Sequence, residues 1–162
     1  MVEKYGPKFD IRLLNQTCMQ KARLIYIVED NAMFLLMLKT ELERLFRGEQ
    51  FIIKTFANGD ECVNSMITNP DLVIVDHQLD SVKTDAMTGL ETIDKIRSVS
   101  PHTDFIIVTN NEQTDLFLKS KQYDIYDYLT KSSHVIYKLD LSIRRWTNLI
   151  QKRNENQNNW IN

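Results

Sequence analysis

A chain of 162 residues is long enough to bury one proper core and short for two domains of ordinary size, so a single domain is expected. Hydrophobic residues at 43% and charged residues at 26% are ordinary for a soluble globular protein, and a formal net charge of -2 removes any electrostatic case for direct nucleic-acid binding. Cys18 and Cys62 form no metal-ligand spacing with one another or with the scattered His77, His102 and His134, and no apolar stretch approaches the roughly 20 residues of a membrane span.

Residues 1–18 show no clear period and lack the basic-then-apolar pattern of a signal peptide, so cytoplasmic residence away from membranes is the default. Residues 1–22 read as an N-terminal extension or leader, a flexible arm or a start-site artefact, ahead of a domain over residues 23–153. Leu24-Ile25-Tyr26-Ile27-Val28 reads as a buried strand and ends in Glu29-Asp30. Asn31 can cap a helix to about Arg47, with Phe34, Leu35, Leu38, Leu42 and Leu45 on one stripe and Gly48 stopping it. Phe51 to Phe56 reads as a strand, Asn58-Gly59 as a turn, and Asp60 to Ile67 as a short helix with Cys62 as a small core hydrophobe.

Asn69-Pro70 breaks the chain before Asp71-Leu72-Val73-Ile74-Val75-Asp76, whose four consecutive apolar residues predict a strand covered on both faces. A polar loop from His77 to Thr88 leads to a helix over Gly89 to Ser98, closed by Pro101. Asp104 to Thr109 is the next strand, Glu112 to Gln122 a helix, and Ile125 to Leu129 the last strand, with Lys131 just beyond it. Ser133 can cap a final helix from about His134 to Lys152, burying Ile136, Leu139, Ile143, Trp146 and Ile150, and residues 154–162 read as a flexible, Asn- and Gln-rich tail. Strand and helix alternating in this way predict an α/β fold, a five-stranded doubly wound parallel sheet with helices on both faces.

In such sheets the carboxyl ends of the strands hold ligands. Two strands deliver Glu29, Asp30 and Asp76 to that edge, and three clustered carboxylates repel one another unless a cation sits among them. The arrangement points to a divalent metal, with Asp76 as a ligand or a nucleophile. Taken singly, Lys131 is a solvated loop lysine, Tyr128 a strand aromatic, Thr109 a helix cap, and Glu29-Asp30 a favourable charge at a helix N-terminus.

Together, Glu29-Asp30, Asp76, Thr109, Tyr128 and Lys131, each at or beside a strand end and in this order, resemble the active site of a response-regulator receiver domain. The resemblance runs from about Leu24 to Arg153 and implies a flavodoxin-like sheet of order 2-1-3-4-5. It also implies Mg²⁺ held by Asp30 and Asp76, by Glu29 through water and by the carbonyl of Gln78. Asp76 is then the phosphoacceptor, Lys131 pairs with a phosphoryl oxygen, and Thr109 and Tyr128 form the switch. The partners implied are a histidine kinase or phosphotransfer protein and a downstream protein, with homodimerisation through the last helix common in the family. Such a protein signals, here as a stand-alone receiver, and is not an enzyme beyond its own phosphorylation and dephosphorylation.

Three departures from the family pattern stand out. Asp80 replaces a Pro, and the nearest glycine, Gly89, lies thirteen residues after Asp76 instead of about eight, so the loop from Leu79 to Thr88 is lengthened and is expected to be solvated and variable. Asn110 stands where a small residue is usual, and Ser132 where the family has a cis proline, so the linkage is either trans or strained. These departures leave a phosphorylation-independent interaction module as the alternative. A haloacid-dehalogenase type of hydrolase would need a second Asp two residues beyond Asp76, where Gln78 stands.

Overall fold

The computed structural model describes residues 22–79, 86–110 and 123–158. The expected helix over 112–122 and the loop residues 80–85 lie outside them. Five parallel strands, β1 (Arg23–Val28), β2 (Phe51–Phe56), β3 (Leu72–Asp76), β4 (Asp104–Thr109) and β5 (Asp127–Thr130), form one sheet in the order β2-β1-β3-β4-β5. Four helices are described: α1 (Ala32–Leu45), α2 (Gly59–Asn64), α3 (Gly89–Val99) and α4 (Val135–Asn158).

The period of two along each strand divides the core. Ile25, Ile27, Leu72, Ile74, Ile106 and Val108 face α1 and α4, where Leu38, Leu42, Leu139, Ile143 and Trp146 meet them. Tyr26, Val28, Val73, Val75, Phe105 and Ile107 face α2 and α3, against Cys62, Ile93 and Ile96. This double burial is why β3 is apolar at every position before Asp76.

Local chemistry sets the boundaries. Asn31 caps α1 as expected, accepting from the N–H groups of Met33 and Phe34, and the helix ends at Leu45, two residues short of the expected Arg47. Asn58-Gly59 is the start of α2 and no free turn, because the Asn58 side chain accepts from the Glu61 N–H. A Cβ at Gly59 would lie 2.0 Å from Thr92 Oγ1, so only glycine allows α2 and α3 this approach. Thr88 and Glu91 form a capping box at the start of α3, a Thr-x-x-Glu signature. β5 begins two residues later than expected, and α4 continues through Asn158, beyond Lys152. No cis peptide bond occurs among the described residues, so the Lys131–Ser132 linkage is trans.

Candidate functional site

The register of the sheet brings the site together. Val28 pairs with both Phe56 and Val75, and the Glu29 N–H extends the ladder to the Phe56 carbonyl at 3.1 Å, so Glu29 leaves β1 beside the end of β3. Asp76 pairs with Val108, and the His77 N–H donates to the Val108 carbonyl at 3.2 Å. Thr109 pairs with Thr130, and the Lys131 N–H donates to the Thr109 carbonyl at 2.7 Å, which carries Lys131 to the same edge.

There the Lys131 ammonium donates to Asp76 Oδ2 at 2.6 Å and sits 2.8 Å from Glu29 Oε2. Asp76 Oδ1 accepts from the Gln78 N–H at 3.1 Å, and Glu29 Oε1 accepts from the Asn31 N–H at 3.2 Å. Glu29 and Asp76 are buried and Asp30 is half-buried, and one carboxylate oxygen from each lies within 4.8 Å of the others. Among the described residues, three carboxylates against one ammonium leave an excess of negative charge. Burial pushes the Glu29 carboxyl above its usual range; the Lys131 hydrogen bond opposes this and the Asp76 charge adds to it. Burial would depress Lys131, but its hydrogen bonds to Asp76 and Glu29 outweigh that and hold the ammonium above its ordinary value.

The donor set is all hard oxygen, the kind that suits Mg²⁺ and not a soft transition metal. Gln78 is exposed, and the contact it makes with Asp76 is through its N–H. Thr109 is buried, and its side chain is hydrogen-bonded to Tyr128, whose phenol burial pushes above its usual range while that bond opposes the shift. Asn110 is exposed beside the site.

Two contributors escaped the sequence reading. A Cβ on Gly89 would stand 2.2 Å from the Asp76 carbonyl oxygen, so Gly89 makes the close approach to the end of β3 in spite of the longer loop. Leu79 is buried at the other end of that loop. The signal was a glycine directly after Thr88, at the start of a capped helix, and counting residues from Asp76 obscured it. The second is Phe34, whose ring centroid lies 4.5 Å from the Lys131 Nζ. In sequence Phe34 is one of several apolar residues on α1, and nothing there pairs it with a lysine far along the chain.

A family model for the response regulator receiver domain matches residues 25–137. Among solved structures, a response regulator receiver domain protein from Clostridium thermocellum is 20% identical, with a TM-score of 0.65, covering 80% of this chain and 97% of its own. The BeF3-activated DrrB receiver domain is 22% identical with a TM-score of 0.65, covering 78% of this chain and 97% of its own. The receiver domain of a modulated diguanylate cyclase from Desulfovibrio desulfuricans is 26% identical with a TM-score of 0.60, covering 75% and 90%. No curated protein matches the sequence. The family match spans well over half of the chain and takes in both acidic strand ends and Lys131, and on that ground this protein belongs to the response-regulator receiver family of two-component signalling phosphoacceptors.

Proposed function

We propose that Asp76 accepts a phosphoryl group from a phosphohistidine on a kinase or phosphotransfer protein, in a Mg²⁺-dependent reaction, and that the phosphorylated protein signals by binding another protein. The observation that carries this reading is the bond from Lys131 to Asp76 at 2.6 Å, within an acidic cluster that has more anions than cations. A carboxylate oxygen of Asp76 attacks phosphorus, the P–N bond to the donor histidine breaks, and the imidazole leaves with the electron pair of that bond. The product is an acyl phosphate.

Asp30, Asp76 and Glu29 would hold the ion with the carbonyl of Gln78, and the ion supplies charge neutralisation for the phosphoryl oxygens. Lys131 is placed to transfer its contact from the carboxylate to a phosphoryl oxygen, since both are anionic acceptors within reach of one flexible ammonium. The Thr109 hydroxyl, now bonded to Tyr128, would turn to another phosphoryl oxygen and release the phenol. Beside the site, Met33 and Leu36 on α1 are 77% and 59% exposed, an apolar face suited to a phosphodonor helix.

Titration with beryllofluoride and Mg²⁺, followed by amide NMR, tests the reading. Shifts at Thr109, Tyr128 and Lys131 in the unmodified protein, absent in Asp76→Asn, are expected. A protein with no Asp76-dependent response is a phosphorylation-independent module instead.

A further inference from the structure

Among the described residues, three side chains meet the Lys131 ammonium. Two are carboxylates, and the third is the face of Phe34, with the Nζ 4.5 Å from the ring centroid. We propose that Phe34 is a positioning residue for Lys131: its ring holds the ammonium over the acceptor by a cation–π contact, and this is needed for full affinity toward a phosphoryl group on Asp76. The inference rests on the phosphoacceptor reading of Asp76.

The geometry distinguishes this contact from core packing. The Lys131 side chain is 9% exposed, so the ammonium has left most of its water, and a desolvated cation gains most from a ring face. A ring also accepts the ammonium without a fixed hydrogen-bond direction, leaving its N–H groups free for oxygen acceptors. When Asp76 is esterified its oxygen loses charge and its hold on Lys131 weakens, while the ring's attraction is unchanged. Phe34 can keep its position because its backbone N–H is fixed to Asn31 Oδ1 at 3.0 Å, and the Asn31 N–H is fixed to Glu29 Oε1 at 3.2 Å. One helix cap therefore sets the spacing between Glu29 and Phe34, two of the groups beside the ammonium.

The test replaces Phe34 with mono-, di- and trifluorinated phenylalanines, which keep the ring's shape while draining its face of negative potential. Beryllofluoride affinity, measured with Mg²⁺, is expected to fall stepwise with fluorination, by about threefold to thirtyfold across the series. Phe34→Tyr should stay near the unmodified protein and Phe34→Leu should fall with the trifluorinated form. Affinity unchanged along the series overturns the proposal, because packing alone would not follow ring electrostatics. A second measurement does not use the phosphoryl analogue: urea unfolding of Phe34→Leu, Lys131→Met and the double variant. A coupling of about twofold or more in the unfolding equilibrium constants supports the contact, and additive effects refute it. Should the unmodified protein fail to bind beryllofluoride, the phosphoacceptor reading falls and Phe34 has no phosphoryl group to serve, whatever the urea cycle gives.

Discussion

Both edges of the sheet carry carboxylates, and they are treated differently. At the amino ends of the strands, Asp71 accepts from the Leu24 N–H at 2.8 Å and lies 3.5 Å from Arg23, while Asp104 accepts from the Trp146 indole at 2.8 Å and lies 3.7 Å from Arg153. Each of these acids has its own donors. At the carboxyl ends, Glu29, Asp30 and Asp76 converge within 4.8 Å, and both Glu29 and Asp76 draw on the single ammonium of Lys131. An acid with private partners fastens elements together. Acids that share one cation store unfavourable charge that an incoming cation can relieve, which is how an edge becomes a site.

The comparison is broken most directly by exchanging the acids' roles. Asp76→Asn is expected to reduce phosphorylation from acetyl phosphate to background, because an amide is no nucleophile, while Asp71→Asn leaves it unchanged. Hydroxylamine-labile incorporation measured by mass spectrometry decides, and equal loss in both variants would erase the difference between the edges.

Lys131→Met leaves two buried carboxylates without their cation, at 2% and 4% side-chain exposure. Breaking a buried pair in this way is expected to cost about 3 kcal/mol in urea unfolding without divalent ions. Saturating Mg²⁺ should recover part of that, and the recovery should vanish in Lys131→Met combined with Asp30→Asn. No ion dependence would mean that the carboxyl edge is as self-sufficient as the amino edge.

At the amino edge, Trp146→Phe removes the indole donor to Asp104 but leaves Arg153 beside it, so a loss of about 1 to 2 kcal/mol is expected, insensitive to Mg²⁺. The smallest effect at neutral pH belongs to neither edge. Burial of Cys62 pushes its thiol from 9.0 to about 12, so the unfolded chain ionises first as pH rises. Its contribution is complete below pH 9 and is lost as pH climbs toward 12. The urea midpoint of the unmodified protein should therefore decline relative to Cys62→Ala between those values, and parallel midpoints would place the thiol in contact with solvent.

Much of this was legible along the chain. The runs before Asp76 and before Glu29 are apolar at successive positions because both faces of those strands are covered, so they stand out without any partner in view. Boundaries were less legible: α2 starts at Gly59 through a cap and a contact with Thr92, and β5 starts at Asp127, whose side chain bonds the Tyr128 N–H and Ser142. Both depend on groups distant in sequence or on side-chain bonds that composition does not reveal.

Order along the chain is enough to determine the strand sequence, the family, and which acids and which lysine end up at one edge, because hydrophobic periodicity and strand polarity are local properties carried by neighbouring residues. Only the folded sheet decided that Lys131 bonds Asp76 rather than solvent, that Gly89 reaches the end of β3 across a lengthened loop, and that Phe34 covers the ammonium. Those outcomes rest on distances between residues 13 to 97 positions apart, arithmetic that runs from Asp76 to Gly89 and from Phe34 to Lys131, and such distances exist only once the register of the strands and the pitch of α1 bring the segments together.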